Sequence, residues 1–419
     1  MKTKEIKRKY KYLYVLMFVS AGIIAAGFAV RLIADAVKYN PMSTSVPFSL
    51  IIVLRSAEYL VPAAALLAAG LILRARYIGR DELKRRSEER KARRKAVPRR
   101  VRLRRAAITA VSVVLAFFII SAVAPFIGLN IFLHRHIDYS GIENSRYPLQ
   151  GVWKAEDFGL EAAALTLETA DGEKVRCYEV GSDEPQAVVV FATGIEQPSV
   201  TYFFPQARIM HDENVASFLL EVRSHGESTG KKLGLGYTEV EDVRAVFEYI
   251  ASVESYTDVP VILMGVSMGG AVVLNSFGEI PEADGVLAMS PYASFEFELD
   301  LMMERYHVPG FLRAYEMFFS KMVLSANYGK AIIDERKPES EIKKADGRPV
   351  AVIACGGDGS VPVENTVRIA EGCPEAKVWI RNSWEHFIIK NCDFRNVAED
   401  AEYISFVFDF IDEVIASVG

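Results

Sequence analysis

The run from Val259 to Ala271, Val-Pro-Val-Ile-Leu-Met-Gly-Val-Ser-Met-Gly-Gly-Ala, leaves the chain few ways to fold. Val261 to Met264 are apolar without alternation, which predicts a central strand of a parallel sheet, covered on both faces. Gly265-Val266-Ser267-Met268-Gly269 then fits the G-x-S-x-G pattern of a strand–turn–helix elbow with the serine at its apex. The residues two before and two after the serine must lack bulk, because strand and helix crowd together there. The N–H of Met268 would lie at the N-terminus of the helix that continues through Ala271-Val272-Val273-Leu274, a place that favours a developing oxyanion. Alone, the pattern also fits an ordinary glycine-rich turn. The rest of the chain must supply a base, an acid and a second oxyanion donor.

Charge and hydropathy divide the 419 residues. Residues 1–11 hold six Lys/Arg against one acid, and residues 74–105 hold sixteen against four. From residue 134 onward, 24 Lys/Arg face 47 Asp/Glu, so a basic N-terminal third precedes an acidic remainder. Such asymmetry points to a membrane or a polyanion at the basic end. Three apolar stretches, 12–34, 48–73 and 107–133, are long enough to cross a bilayer. A cleavable signal peptide is the rival reading of the first, but its apolar region would be shorter and end in a small-x-small site. Arg55 and Glu58 interrupt the second stretch three residues apart, either paired within the membrane or placed at its outer interface. The 74–105 segment reads as a polybasic cytoplasmic loop attracted to anionic lipid head groups. It has one aromatic residue, Tyr77, and no recognisable nucleic-acid-binding fold, so no nucleic-acid partner is expected. Placing both basic segments inside puts the acidic C-terminal region outside the cytoplasm.

Residues 134–160 read as a polar linker. From residue 161 the pattern becomes α/β. A hairpin is expected around Asp171-Gly172, with strands at Ala187–Ala192, Ala216–Val222, Val286–Met289, Val350–Ala354 and Lys377–Ile380. Helices are expected at Tyr202–His211, Val240–Val253, Val363–Glu371 and Val397–Ala416. This alternation predicts a mostly parallel sheet with helices on both faces. Residues 292–347, rich in Phe, Met and Tyr, break the rhythm as an insertion. The four cysteines have no metal-ligand spacing. Cys355 reads as a buried free thiol, and a Cys373–Cys392 bridge stays open.

Over about residues 160–419 the chain resembles the α/β-hydrolase superfamily, in the branch of serine aminopeptidase-like and lysophospholipase-like bacterial enzymes. The motifs run in that family's order: Ser267 in the elbow, Asp358 in Gly356-Gly357-Asp358-Gly359-Ser360-Val361-Pro362, and His386 in Trp384-Glu385-His386-Phe387. The resemblance implies Ser267 as nucleophile, His386 as base and Asp358 as the acid that orients it. It implies oxyanion donors at Met268 and at Ile195, in Thr193-Gly194-Ile195, where Thr193 stands in place of the usual His. Glu196 either contacts substrate or caps a turn. Glu221-Val222-Arg223-Ser224-His225-Gly226-Glu227-Ser228 resembles the loop whose Arg and His brace the floor of the site, so His225 is read as structural. The insertion at 292–347 falls where the family carries its cap.

These expectations describe a membrane-anchored serine hydrolase with an extracytoplasmic catalytic domain, cleaving an ester or related acyl bond without metal or organic cofactor. A peptidase or acyltransferase would use the same triad. From another class, a non-enzymatic membrane interaction protein on a hydrolase scaffold is the rival, since fold does not fix function.

Overall fold

The computed structural model describes residues 13, 15–21, 24, 62–72, 80–139, 152–195, 197 and 199–419. The chain divides into two compact units, Met1–Ser121 and Ala122–Gly419.

In the first unit, the expected spans at 12–34 and 48–73 lie largely outside the described residues, as do Arg55 and Glu58; the described parts, 15–21 and 62–72, are helical. From Arg80 onward the segment expected as a basic loop is mostly helical; 74–79 lie outside the described residues. Helix α1 covers Arg80–Ala96 and helix α2 covers Arg99–Leu133, with Pro98 at the break between them. Charge pairs at helical spacing support α1: Arg85 bonds Glu82 at 2.8 Å, and Lys91 bonds Glu88 at 3.0 Å. Pro98 suits the start of α2, where its carbonyl accepts from the N–H of Val101 at 2.9 Å. After its basic first turns, α2 is uncharged from Ala106 to Leu133. Ile108, Val111, Val113, Val114, Leu115 and Ile119 are all exposed. Among the described residues no helix is long and apolar enough to cross a membrane, and the side chains at 117, 120, 121 and 123–125, in the middle of α2, are not among those described.

The second unit starts on the last turns of α2. Leu133 is fully buried, and its carbonyl accepts from the N–H of Leu233 at 2.9 Å. The first residues of the expected 134–160 linker are not a free tether. Ile137 forms a parallel bridge with His225, donating to Ser224 O and accepting from the N–H of Gly226. The His136 ring lies against the carbonyls of Gly226 and Gly230. Tyr139 donates to Glu221 at 2.7 Å. The stretch 140–151 lies outside the described residues.

Eight strands form one sheet: β1 (Ala163–Glu168), β2 (Lys174–Val180), β3 (Ala187–Ala192), β4 (Val215–Glu221), β5 (Val261–Val266), β6 (Gly285–Met289), β7 (Val350–Cys355) and β8 (Lys377–Arg381). Their order is β1-β2-β4-β3-β5-β6-β7-β8. The β1–β2 hairpin turns at Gly172, whose φ of 88° needs glycine, and β2 pairs antiparallel with β4. Every other pairing is parallel. β3 to β7 are buried on both faces, which explains their uninterrupted apolar sequences; the edge strand β8 is half exposed.

Helices α3 (Phe204–Asp212), α4 (Val240–Ser252) and α5 (Met268–Glu279) follow β3, β4 and β5. α4 and α5 pack on the sheet face that carries Val188, Val190, Leu263 and Val286. α3 covers the other face, where Gln206 reaches Met264 and Met210 meets Ser217. The insertion forms α6 (Phe295–Arg305), α7 (Gly310–Tyr328), α8 (Lys330–Glu335) and the short α9 (Pro338–Glu341). α10 (Glu364–Ala370) follows the Asp358 loop, and α11 (Ala401–Val418) closes the chain beside α3, with Val414 filling the space at Gly285. All four cysteines are free, so the Cys373–Cys392 bridge is not formed.

Candidate active site

Ser267 sits between β5 and α5, at the C-terminal edge of the sheet's centre, where open α/β sheets place their ligands. Its φ and ψ are 58° and −121°, a conformation that costs a non-glycine residue about 1–3 kcal/mol and persists only when its surroundings impose it. The surroundings do so. A Cβ on Gly265 would lie 2.3 Å from Gly269 O, and a Cβ on Gly269 would lie 2.2 Å from Ala192 O and 2.6 Å from Thr193 O. The expected lack of bulk on either side of the serine is therefore a close approach of backbone to backbone. The Ser267 N–H donates to Met289 O at 2.8 Å, anchoring the turn to β6.

Asp358 lies three residues beyond β7, and His386 five beyond β8. The two loops are laced together: Gly356 N donates to Arg381 O and Gly357 N to Ser383 O, both at 2.8 Å. The structure brings the two side chains into contact, with His386 Nδ1 2.6 Å from Asp358 Oδ2. The other carboxylate oxygen accepts from the N–H groups of Ser360 at 2.7 Å and Val361 at 3.1 Å. Burial alone would raise the Asp358 pKa, but the imidazole and these two N–H donors outweigh it and hold the carboxyl below its ordinary value. Nε2 of His386 is buried and has no hydrogen-bond partner among the described residues. Ser267, Asp358 and His386 are 8%, 6% and 7% exposed, so all three residues are largely shielded from solvent. Consecutive residues of β6 and its exit tie the site together: Met289 holds the Ser267 backbone, and Ser290 Oγ donates to His386 O at 2.7 Å.

Among the described residues the N–H groups of Met268 and Ile195 have no acceptor. Thr193, two residues before Ile195, shares with Ala192 the carbonyls that crowd Gly269, so this loop lies against the elbow. A side chain that sequence reasoning missed shapes it. Gln197 Oε1 accepts from Gly194 N at 2.7 Å and from Tyr202 OH at 2.9 Å, with Thr193 Oγ1 at 3.4 Å. Thr193 thus joins a buried polar knot. Glu196 lies outside the described residues.

His225 is fully buried between carbonyls, with Nδ1 3.0 Å from Arg223 O and Nε2 2.9 Å from Ile195 O. Burial pushes its pKa down to about 4, so the ring is neutral at pH 7 and its single N–H serves one carbonyl at a time. Arg223 bonds Asp242 of α4 and Asp171 of the β1–β2 hairpin. His225 thus supports the Ile195 loop, and Arg223 ties the β1–β2 hairpin to α4.

Another unanticipated side chain is Glu298 on α6. It is 6% exposed, its Oε2 accepts from Asn365 Nδ2 at 2.7 Å, and its Oε1 has no partner among the described residues. Burial pushes its pKa up to about 7, with the nearby Asp358 adding to the rise. No short-range pattern in the sequence marks it. No group of His, Cys, Asp and Glu able to hold a metal ion occurs among the described residues.

The Hydrolase_4 family model, serine aminopeptidase S33, matches residues 183–376, a stretch that takes in the elbow and the Asp358 loop and stops short of His386. That match, together with the strand order, gives the chain the α/β-hydrolase fold. The chain is 24% identical over 232 residues to an uncharacterized protein of Bacillus subtilis, YqkD, covering 54% of the present chain and 73% of that one. It is 33% identical over 102 residues to protein phosphatase methylesterase 1 of Candida albicans, covering 24% of this chain and 28% of that protein. The solved esterase Pf2001 of Pyrococcus furiosus matches with a TM-score of 0.49 at 19% identity, covering 63% of this chain and 97% of the esterase.

Proposed function

We propose that this α/β hydrolase cleaves a carboxylic ester, or a related acyl bond, through an acyl-enzyme on Ser267. The observation that carries the reading is His386: one ring nitrogen is held by Asp358, the other is buried and unpartnered, and its backbone is tied through Ser290 to the same β6 exit that anchors the strained turn at Ser267. In the proposed reaction Ser267 Oγ attacks the acyl carbon while His386 Nε2 takes its proton. The oxyanion is met by the N–H groups of Met268 and Ile195. Collapse expels the alcohol, which leaves with the proton from Nε2. Water then attacks the acyl-enzyme, again giving its proton to Nε2, and the acid departs as Ser267 recovers its own. Asp358 holds the imidazole tautomer throughout. The 102-residue similarity to a methylesterase favours an ester. A peptidase or acyltransferase would differ only in leaving group and acceptor.

Covalent labelling by a fluorophosphonate tests this reading. Wild type is expected to label and Ser267→Ala is not; no label on folded wild type, or equal label on both, overturns it.

The same reading places the enzyme at a membrane, with its catalytic unit outside the cytoplasm. Support comes from the uncharged Ala106–Leu133 run of α2, its exposed apolar side chains, and the sixteen basic residues of 74–105. Protease treatment of intact cells is expected to remove the C-terminal unit; protection from outside reverses the topology.

A further inference from the structure

Between His386 and α11 the backbone is strained. Ile388, Asn391 and Cys392 have φ of 68°, 59° and 53°. Asn tolerates this region, but a β-branched residue there is a true outlier. Ile388 is also fully buried, so its side chain is locked into the core while its backbone adopts a conformation it disfavours. Something must hold it.

The holding group is an ion pair from two other elements. Arg381, the last residue of β8, donates through Nη1 to Ile388 O at 2.8 Å and to Asp400 Oδ2 at 2.5 Å, and through Nη2 to Asp400 Oδ1 at 2.8 Å. Asp400, which caps α11, accepts in turn from Lys390 N at 2.7 Å. One guanidinium–carboxylate pair therefore grips the carbonyl of residue 388 and the N–H of residue 390. Ser290 Oγ grips the carbonyl of His386 from the β6 side. The pair is shielded, with side-chain exposures of 14% and 4%. Burial opposes the ionised form of Asp400, but Arg381 and the surrounding N–H donors outweigh it and hold the carboxyl below its ordinary value. A lysine at 381 would supply charge without the fork that reaches both Asp400 oxygens and a carbonyl at once.

We propose that Arg381 and Asp400 are positioning residues for His386: their pair holds the 386–390 turn in its strained form, so that Nδ1 stays on Asp358 and Nε2 stays free for the Ser267 proton. The inference rests on His386 being the general base. If the pair only joins α11 to the sheet edge, its loss lowers the melting temperature and leaves turnover per competent site intact.

The test uses purified full-length protein. Competent sites are counted by fluorophosphonate titration, and kcat and KM are measured on a soluble p-nitrophenyl ester. In Arg381→Ala, kcat per labelled site is expected to fall about a hundredfold, the scale of a misplaced catalytic group, with KM changed less than about twofold. Millimolar guanidinium should restore part of the loss, and Arg381→Lys and Asp400→Asn, which keep more of the fold's contacts, should fall in between. Unchanged kcat per site in all variants, or a loss that follows melting temperature alone with no recovery from guanidinium or lysine, overturns the proposal while leaving the hydrolase reading intact. An unlabelled wild type overturns both.

Discussion

The buried ring of His225 stands 2.9 Å from the carbonyl of Ile195, so the residue proposed as the second oxyanion donor is held through its other peptide group. His225→Ala would empty a fully buried site and release that carbonyl. We expect kcat to fall by about tenfold or more with KM little changed, because oxyanion donors act mainly in the transition state. Steady-state kinetics on a soluble ester check this; a pure rise in KM would count against the assignment.

Gly269→Ala should be far worse than its one added carbon suggests. The new Cβ would meet two main-chain oxygens, at 2.2 and 2.6 Å, and neither can rotate away. A loss of about 3 kcal/mol in unfolding free energy is expected. Gly310→Ala, where nothing lies within 4 Å, should stay within about 0.5 kcal/mol of wild type. Chemical denaturation of the two variants side by side reads the contrast.

Glu298 gives stability a slope with pH. Its folded pKa of about 7 lies above its ordinary value of 4.5, so in that interval the native state keeps a proton that the unfolded chain releases. Its contribution is complete below pH 4.5 and is lost as pH rises through 7, a swing of about 3 kcal/mol. Glu298→Gln, which stays neutral, should therefore melt higher than wild type at pH 8 and close to it at pH 4. Parallel melting curves across that range would show that the carboxyl ionises freely in the fold.

Asp358→Asn keeps an acceptor for Ser360 and Val361 but turns a donor toward His386 Nδ1 and favours the wrong tautomer. A drop in kcat of about 10³- to 10⁴-fold is expected, with melting temperature nearly unchanged. Activity within tenfold of wild type would mean that another carboxylate orients the ring.

The sheet was legible because β3 to β7 are covered on both faces, and such strands appear as unbroken apolar runs between glycine and proline signals. The candidate serine, aspartate and histidine stand out in the sequence because each follows a strand end within five residues. What stayed hidden depends on partners distant in sequence. Gln197 matters through Tyr202 and the Gly194 backbone, Glu298 through Asn365, and Arg381 through Ile388 and Asp400. α1 was taken for a loop because a helix that is polar all round has no hydrophobic period; its Glu-to-Arg and Glu-to-Lys spacings were the only trace. Docking of residues 134–139 was equally silent, since a six-residue stretch paired to a loop ninety positions away carries no periodicity.

That docking removes slack from the chain. Ile137 bonds to the loop that presents His225, Tyr139 and Leu133 bond to Glu221 and Leu233 on either side of it, and His225 backs Ile195. A disturbance at Leu133 or Ile137 would therefore reach Ile195 through His225, although neither residue lies near it in sequence.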